Sequence, residues 1–252
     1  YLIIYDNGSQ FDYVGDQERL LENIRQLSPQ DVDGYLKLEK HARDIFFFFF
    51  TQLADQPFDL VSSMLKVLPD MVRLQNYRSV YSLVSKYIKD EKLRQAFSFE
   101  PLLVGGNPFK ITSIYLLIHW LERKWGVHFA KGGTSALVSG MVGALEKHGV
   151  EFVYNCPVDS LQIEKGKVSR VYSGKGVHFD ADIVVSNTDP VKVYDEWIDS
   201  KYLKKHKPSR FNRKTQSMSL FVSYFGAKKK FDNLVHHTIL LGPRYKGLLE
   251  DI

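Results

Sequence analysis

Residues 126–141 read GVHFAKGGTSALVSGM: a short predicted strand, a glycine pair and a helix that opens on small side chains. Such an order can do chemistry by proximity. Glycine carries no Cβ, so Gly132 and Gly133 would let the backbone come close to a flat ring or a phosphate. The helix behind them would add free N–H groups and a partial positive charge at its first turn. Two phosphate motifs are excluded. A P-loop needs Gly, four residues and then Gly-Lys-Ser/Thr, whereas Lys131 precedes the glycines. A dinucleotide turn needs strand–GxGxxG–helix, and that spacing occurs nowhere in the chain. An ordinary chain reversal is the other reading, and the turn alone leaves both open.

Other reactive residue types are sparse. No Cys/His spacing suggests a metal site. The single cysteine, Cys156, cannot form an internal disulfide, which favours a reducing compartment. His119 sits on an apolar predicted helix, where a satisfied core histidine is the first reading and a site residue the second. Net charge is +5 over 252 residues, yet residues 201–214 (KYLKKHKPSRFNRK) alone hold seven Lys/Arg and no acid. That stretch reads as a solvated loop or as a contact for anionic lipid headgroups. Nucleic acid is not expected, since Phe211 is the only stacking residue in the run and no nucleic-acid motif is present.

The elements that must position these residues fall into two kinds. YLIIYDNGSQFDYV predicts a hairpin around Asn7-Gly8. Helices follow from Asp16, a predicted N-cap, to residue 125: ERLLENIRQL, a restart at Ser28-Pro29, two helices separated around Pro69, DEKLRQAFSFEPLLV stopped by Gly105-Gly106, and ITSIYLLIHWLERKWG. Phe46–Phe50 would cover every side of a helix, so the five cannot share one core. The run reads as a helix buried all round, a sequence artefact, or a lipid-facing surface. After Gly126 the pattern turns to strands: VEFVYN, then a β-meander from Val158 to about Asp189, a short helix PVKVYDEWI, and the strands QSMSLFVSYFGA and HHTILLG before a helix near Pro243. No apolar run is long enough to span a bilayer.

The stretch RSVYSLVSKYIKDEKLRQAFSFEPLLVGGNPFKITSIYLLIHWLERKWGVHFAKGGTSALVSGM resembles the carotenoid (phytoene) desaturases of bacteria, a group of FAD-dependent oxidoreductases. GVEFVYNCPVDSLQ, ADIVVSNTDP, SLFVSYFG and HHTILLGPRY resemble that family too, so the likeness runs along the whole chain. It implies non-covalent FAD and removal of hydrogen from a long polyene such as phytoene to give a more conjugated, lycopene-type product. The family's N-terminal GxGxxG and its glycine-rich C-terminal segment are absent, so the chain is expected to be an internal fragment, inactive alone.

By resemblance, Gly132, Gly133 and Thr134 form the turn beside the flavin, with Ala130 where the family has proline. Val158 matches a position whose backbone meets the adenine. Asn187 and Asp189 match the segment where the meander rejoins the cofactor domain, although Asp189 before Pro190 is also a plain helix N-cap. An acid and an arginine of some members align with Ser63 and Lys66, so no catalytic base is assigned. A forty-carbon hydrocarbon needs a long apolar channel and few hydrogen bonds. Leu102, Leu103, Gly105, Gly106, Phe109, Tyr115, Ile118 and His119, around the glycine break, are the candidate lining, and each can equally be core.

The expectation is therefore an α+β (α/β) middle fragment of a two-domain FAD flavoprotein. A helix-rich substrate domain (1–125, with 201–252 returning to it) is interrupted by a β-rich part of the FAD domain (126–200). Docking is expected to be peripheral, on the cytoplasmic side of a bacterial membrane, through the Phe run or the basic stretch. A sister desaturase acting on diapophytoene or a hydroxylated carotene, and a flavin-free hydrophobic binding protein, are the alternatives.

Overall fold

The computed structural model describes residues 1–174, 176–203 and 220–251. The chain is a mixture of helices and small sheets that divides into two compact units. One unit comprises Tyr1–His128 with the described part of Ser217–Ile252, and the other the described part of Phe129–Gln216.

The first unit opens with β1 (Leu2–Tyr5) and β2 (Gln10–Asp12), paired antiparallel with Ile3 opposite Phe11. The predicted turn forms, but Gly8 alone takes left-handed φ, at 79°; Asn7 does not. The loop closes by Tyr5 N–H to Ser9 O and Gly8 N–H to Tyr5 O, both 2.9 Å. Asp16 caps α1 (Gln17–Leu27), its Oδ1 accepting from Arg19 N at 2.8 Å. Ser28 makes no capping bond; its hydroxyl donates to Asp31 at 2.9 Å, and a single 3₁₀ turn leads into α2 (Val32–Phe46). Buried Asp31 then accepts from the Lys89 and Asp90 backbone N–H groups at 2.7 and 2.8 Å, tying the start of α2 to a distant loop.

The Phe run ends α2 and continues as a π-helical turn over Phe47–Gln52. Phe46 is buried while Phe47 and Phe50 are 42% and 47% exposed, as five successive rings on one helix require. Pro69 does not separate one helix from another. It lies inside α3 (Val61–Arg73), and the missing N–H would have bonded the carbonyl of Leu65, a residue exposed to water that can replace the bond. The break comes instead at residues 74–79, where Gln75 adopts φ 56° and Ser79 caps α4 (Val80–Tyr87). Helix α5 (Glu91–Ala96) is shorter than the pattern suggests, and a 3₁₀ turn carries the chain to Gly105, whose φ of 72° stops it. Helix α6 (Leu117–Trp125) follows.

Strand β6 (Thr238–Leu241) pairs parallel to β1, so the sheet order is β2-β1-β6, and α9 (Tyr245–Asp251) packs Tyr245 and Leu249 into the same core. That core joins Ile3, Tyr5, Phe11 and Tyr13 to the inner faces of α1, α2, α4 and α5.

The second unit holds α7 (Thr134–Lys147), the meander β3 (Val158–Glu164), β4 (Lys167–Ser173) and β5 (His178–Asp180), and α8 (Pro190–Lys192), which runs on as a π turn to Trp197. Three predicted strands do not form: residues 127–129, 150–155 and the described part of the last, 220–227. Most of their apolar residues are exposed, and among the described residues no ladder partner faces them: Val153 is 57% and Phe221 97% accessible. A strand without a neighbour leaves its backbone groups to water, so the pattern alone cannot make one. The basic stretch of residues 204–214 and the start of the last strand lie outside the described residues.

Candidate functional site

In the second unit, the glycine pair makes the turn its sequence demands. Gly132 and Gly133 have φ of 81° and 84°, a region closed to most side chains, and Gly133 N–H bonds Ala130 O at 2.9 Å. A Cβ on Gly132 would sit 3.0 Å from the Ala136 methyl, whereas one on Gly133 would meet nothing within 4 Å. Gly133 is the N-cap residue of α7, so no side chain covers the first N–H groups of that helix, including that of Thr134. The turn therefore offers exposed backbone, uncapped donors and a helix dipole in one place.

Val158 stands at the head of the meander beside a cavity of about 270 Å³. Val153, Val171 and Phe179 give it apolar walls, with Cys156 and Ser173 at its edge. The Ser173 hydroxyl is buried without a hydrogen-bond partner. A slot of mainly apolar lining, with Glu151 and the unanswered Ser173 hydroxyl as its polar groups, fits a flat heteroaromatic group that can hydrogen-bond at its edge. Asp189 is the N-cap of α8, accepting from Val191 N at 2.7 Å, and both it and Asn187 are exposed.

The candidate channel residues lie in the first unit. Leu102, Phe109 and Tyr115 are partly buried against the core, Ile118 is half-buried, and Leu103 is exposed. A Cβ on Gly106 would lie 2.3 Å from Ile111 Cδ1 and 3.3 Å from the Pro101 carbonyl oxygen, so the Ile111 tip would have to shift to admit one. Among the described residues, neither the meander-head cavity nor the cavities of about 560 and 410 Å³ are lined by these residues. Ser63 and Lys66 are both on α3, Ser63 half-buried and Lys66 exposed.

His119 is fully buried and forms the centre of a polar cluster that sequence reasoning missed. Tyr13 Oη donates to Glu100 Oε1 at 2.6 Å, and His119 Nδ1 lies 2.5 Å from the same hydroxyl. Tyr13 has only one proton to give, so Nδ1–H faces its oxygen, with Glu100 Oε1 also 3.3 Å from Nδ1, and Tyr35 Oη lies 3.3 Å from Nε2. Glu122 completes the group, accepting from Tyr1 Oη at 2.8 Å. Burial, and then the nearby Glu100 charge, push the Glu122 carboxyl up to about 7. Burial likewise holds the Tyr13 hydroxyl well above its ordinary range. The signal available in sequence was thin: Tyr13 follows β2 two residues after Phe11, and His119 and Glu122 share a face of α6 at spacing i, i+3.

The glycine turn at the uncapped start of α7 and the cavity at the meander head are the candidate site of the second unit. Residues 2–250 match the family of flavin containing amine oxidoreductases, and the chain belongs to that family. It is similar over its full length to phytoene desaturases: 42% identical to the lycopene-forming protein of Pantoea ananas, covering 51% of that chain. The lycopene-forming protein of a Paracoccus strain is 40% identical with 50% covered, and the neurosporene-forming protein of Cereibacter sphaeroides 36% identical with 49% covered. The chain thus spans about half the length of the curated relatives it matches.

Proposed function

We propose that the protein containing this chain is an FAD-dependent desaturase that converts phytoene toward lycopene-type carotenoids. The observation that carries this reading is identity of 42% and 40% to two lycopene-forming phytoene desaturases over all 252 residues. The chain's own residues support the cofactor half of the proposal. The Gly132-Gly133 backbone and the Thr134 N–H are placed to receive an anionic or flat group, and the slot beside Val158 and Ser173 suits an adenine. Bound flavin supplies the hydride acceptor for such a dehydrogenation. The protein's part is to orient, to exclude water and to accept a proton from the neighbouring carbon. Ser63 and Lys66 supply no carboxylate for that last step, and no base is assigned to it. The test is the intact protein incubated with FAD and phytoene-loaded liposomes. Long-wavelength absorption bands in the extracted pigment are expected, and a colourless extract from FAD-loaded protein would reject phytoene as substrate.

A substrate of this kind resides in the bilayer, and we place the docking surface at the Phe run, on the cytoplasmic face of a bacterial membrane. Exposed Phe47 and Phe50 stand with exposed Trp125, and Lys124 Nζ lies 4.5 Å over the Trp125 ring and 5.4 Å over that of Phe47. Aromatic rings beneath a lysine head suit a lipid–water interface. Among the described residues no helix is long and apolar enough to cross a membrane. Replacing Phe47 and Phe50 by Ser, with buried Phe46 kept, is expected to reduce liposome flotation severalfold; unchanged flotation would move the surface elsewhere.

A further inference from the structure

A groove on the helical unit is lined by none of the residues assigned so far. Lys37, Lys40, His41 and Asp44 follow one another at i, i+3, i+4 and i+7, so they share one face of α2. They form one wall of a groove of about 410 Å³, which Arg73 at the end of α3 and Tyr87 at the end of α4 close from the other sides. That volume is within the range of small-ligand sites.

The groove lining carries more positive than negative charge: Lys37, Lys40 and Arg73 against Asp44. Lys37 and Lys40 are exposed and make no ion pair among the described residues. The single carboxylate on the wall, Asp44, is already engaged by Arg43 at 3.4 Å. Arg73 is held by Asp70 at 2.9 Å, which fixes its guanidinium. Behind the wall, Lys86 Nζ donates to Gln75 Oε1 at 3.0 Å and adds a further positive charge.

The groove is also rigid. The His41 Nε2–H donates to the Leu74 carbonyl at 2.9 Å, and its Nδ1 pairs with the Tyr87 hydroxyl at 2.8 Å, so one ring ties α2 to both other walls. Gln75, in the same wall, holds φ 56°, a left-handed conformation that costs a non-glycine residue free energy. With Arg73 offset by Asp70 and Asp44 by Arg43, the two ammonium groups of Lys37 and Lys40, one helical turn apart, carry the net positive charge and suit a compact polyoxyanion.

We propose that this groove binds a phosphate group, with Lys37 and Lys40 as its principal ligands. The phosphate can belong to a phospholipid headgroup or to a soluble phosphate ester, and the experiment separates the two. The intact protein is titrated calorimetrically with inorganic phosphate at low ionic strength, alongside Lys37→Gln/Lys40→Gln and a charge-matched control, Lys110→Gln/Lys147→Gln. All four lysines are exposed, so the variants are expected to keep the parent melting temperature. At about fivefold per lysine, the upper end for an exposed charge pair, the groove variant should bind phosphate roughly twenty-five-fold more weakly than the control. The same three proteins are then floated with phosphatidylglycerol and with phosphatidylcholine vesicles. Selective loss of flotation on phosphatidylglycerol by the groove variant identifies the lipid as the source. Equal flotation with weakened phosphate binding identifies a soluble ester. If neither readout separates the groove variant from the control, the proposal is overturned.

Discussion

The helical unit and the glycine-turn unit treat their apolar residues in opposite ways. In the first, β1, β2, α1, α2, α4 and α5 direct Ile3, Phe11, Leu20, Leu38, Leu83 and Leu93 into one closed core, with each of them at most 2% accessible. In the second, α7 buries no residue: Leu137, Val138, Met141 and Leu145 are each 43% or more exposed, and Ile183 and Val185 beyond the meander are 83% and 91% exposed. Helices of ordinary length owe most of their stability to packing rather than to propensity. The first unit therefore carries its stability in this sequence, while the second carries the shape of a site and little of the burial that would hold it. The pattern suits a chain that spans about half the length of its relatives.

The contrast is broken most strongly at Gly34. A Cβ there would lie 2.1 Å from the backbone carbonyl oxygen of Tyr87, where α2 and α4 touch. A carbonyl in a helix cannot move aside as a side chain can. Gly34→Ala is expected to destabilise the first unit by about 3 kcal/mol, read as the denaturation midpoint. A neutral result would mean that α2 and α4 are not in contact and that the core is looser than described.

A smaller effect sharpens the same comparison through pH. The Glu122 carboxyl is raised to about 7 by burial and by Glu100, against an ordinary value of 4.5. Below about 4.5 both folded and unfolded chains hold this proton. As pH rises from there to about 7, the unfolded chain releases it and the folded chain keeps it, so stability falls, and it levels off once the folded chain releases the proton too. The fall is on the order of 2 kcal/mol. Glu122→Gln preserves an acceptor for the Tyr1 hydroxyl and removes the titration. Its denaturation midpoint is expected to vary less between pH 5 and 7 than that of the parent; the same slope in both would assign the titration to another group. The second unit, with no buried carboxylate among its described residues, should contribute nothing to this slope.

What was legible in the sequence was local. The hairpin at Asn7-Gly8, the Asp16 cap, the Gly105 stop and the Gly132-Gly133 turn each rest on a residue whose own chemistry dictates the backbone. What was not legible depended on distant partners. The strands over 150–155 and 220–227 have the right alternation, but a strand exists only where another pairs with it. Pro69 marks a boundary only if water cannot answer the Leu65 carbonyl, and that depends on which face of α3 is packed. The Tyr13–Glu100–His119 cluster joins residues 87 and 106 positions apart, and no spacing rule reaches that far. For the candidate site the division is the same: the glycine turn was readable, while the slot beside Val158 needed Ser173 and Phe179 to be folded onto it.

The smallest expected effect asks whether α7 is truly uncovered. Gly140 and Gly143 lie inside this helix, and a Cβ on either would meet nothing within 4 Å. Glycine in an exposed helix costs about 1 kcal/mol relative to alanine. In the 252-residue chain, Gly140→Ala and Gly143→Ala are expected to raise helicity and slow amide exchange along α7, each by an amount equivalent to about 1 kcal/mol. The same substitutions in the intact protein have a different use. If the face stays open there, the gain persists. If another surface closes to within contact distance of the α7 backbone, the added methyls collide with it and the sign reverses. Gly34 already shows what such contact does within this chain, so a reversal would give the second unit a packed interface of the kind that the first unit builds for itself.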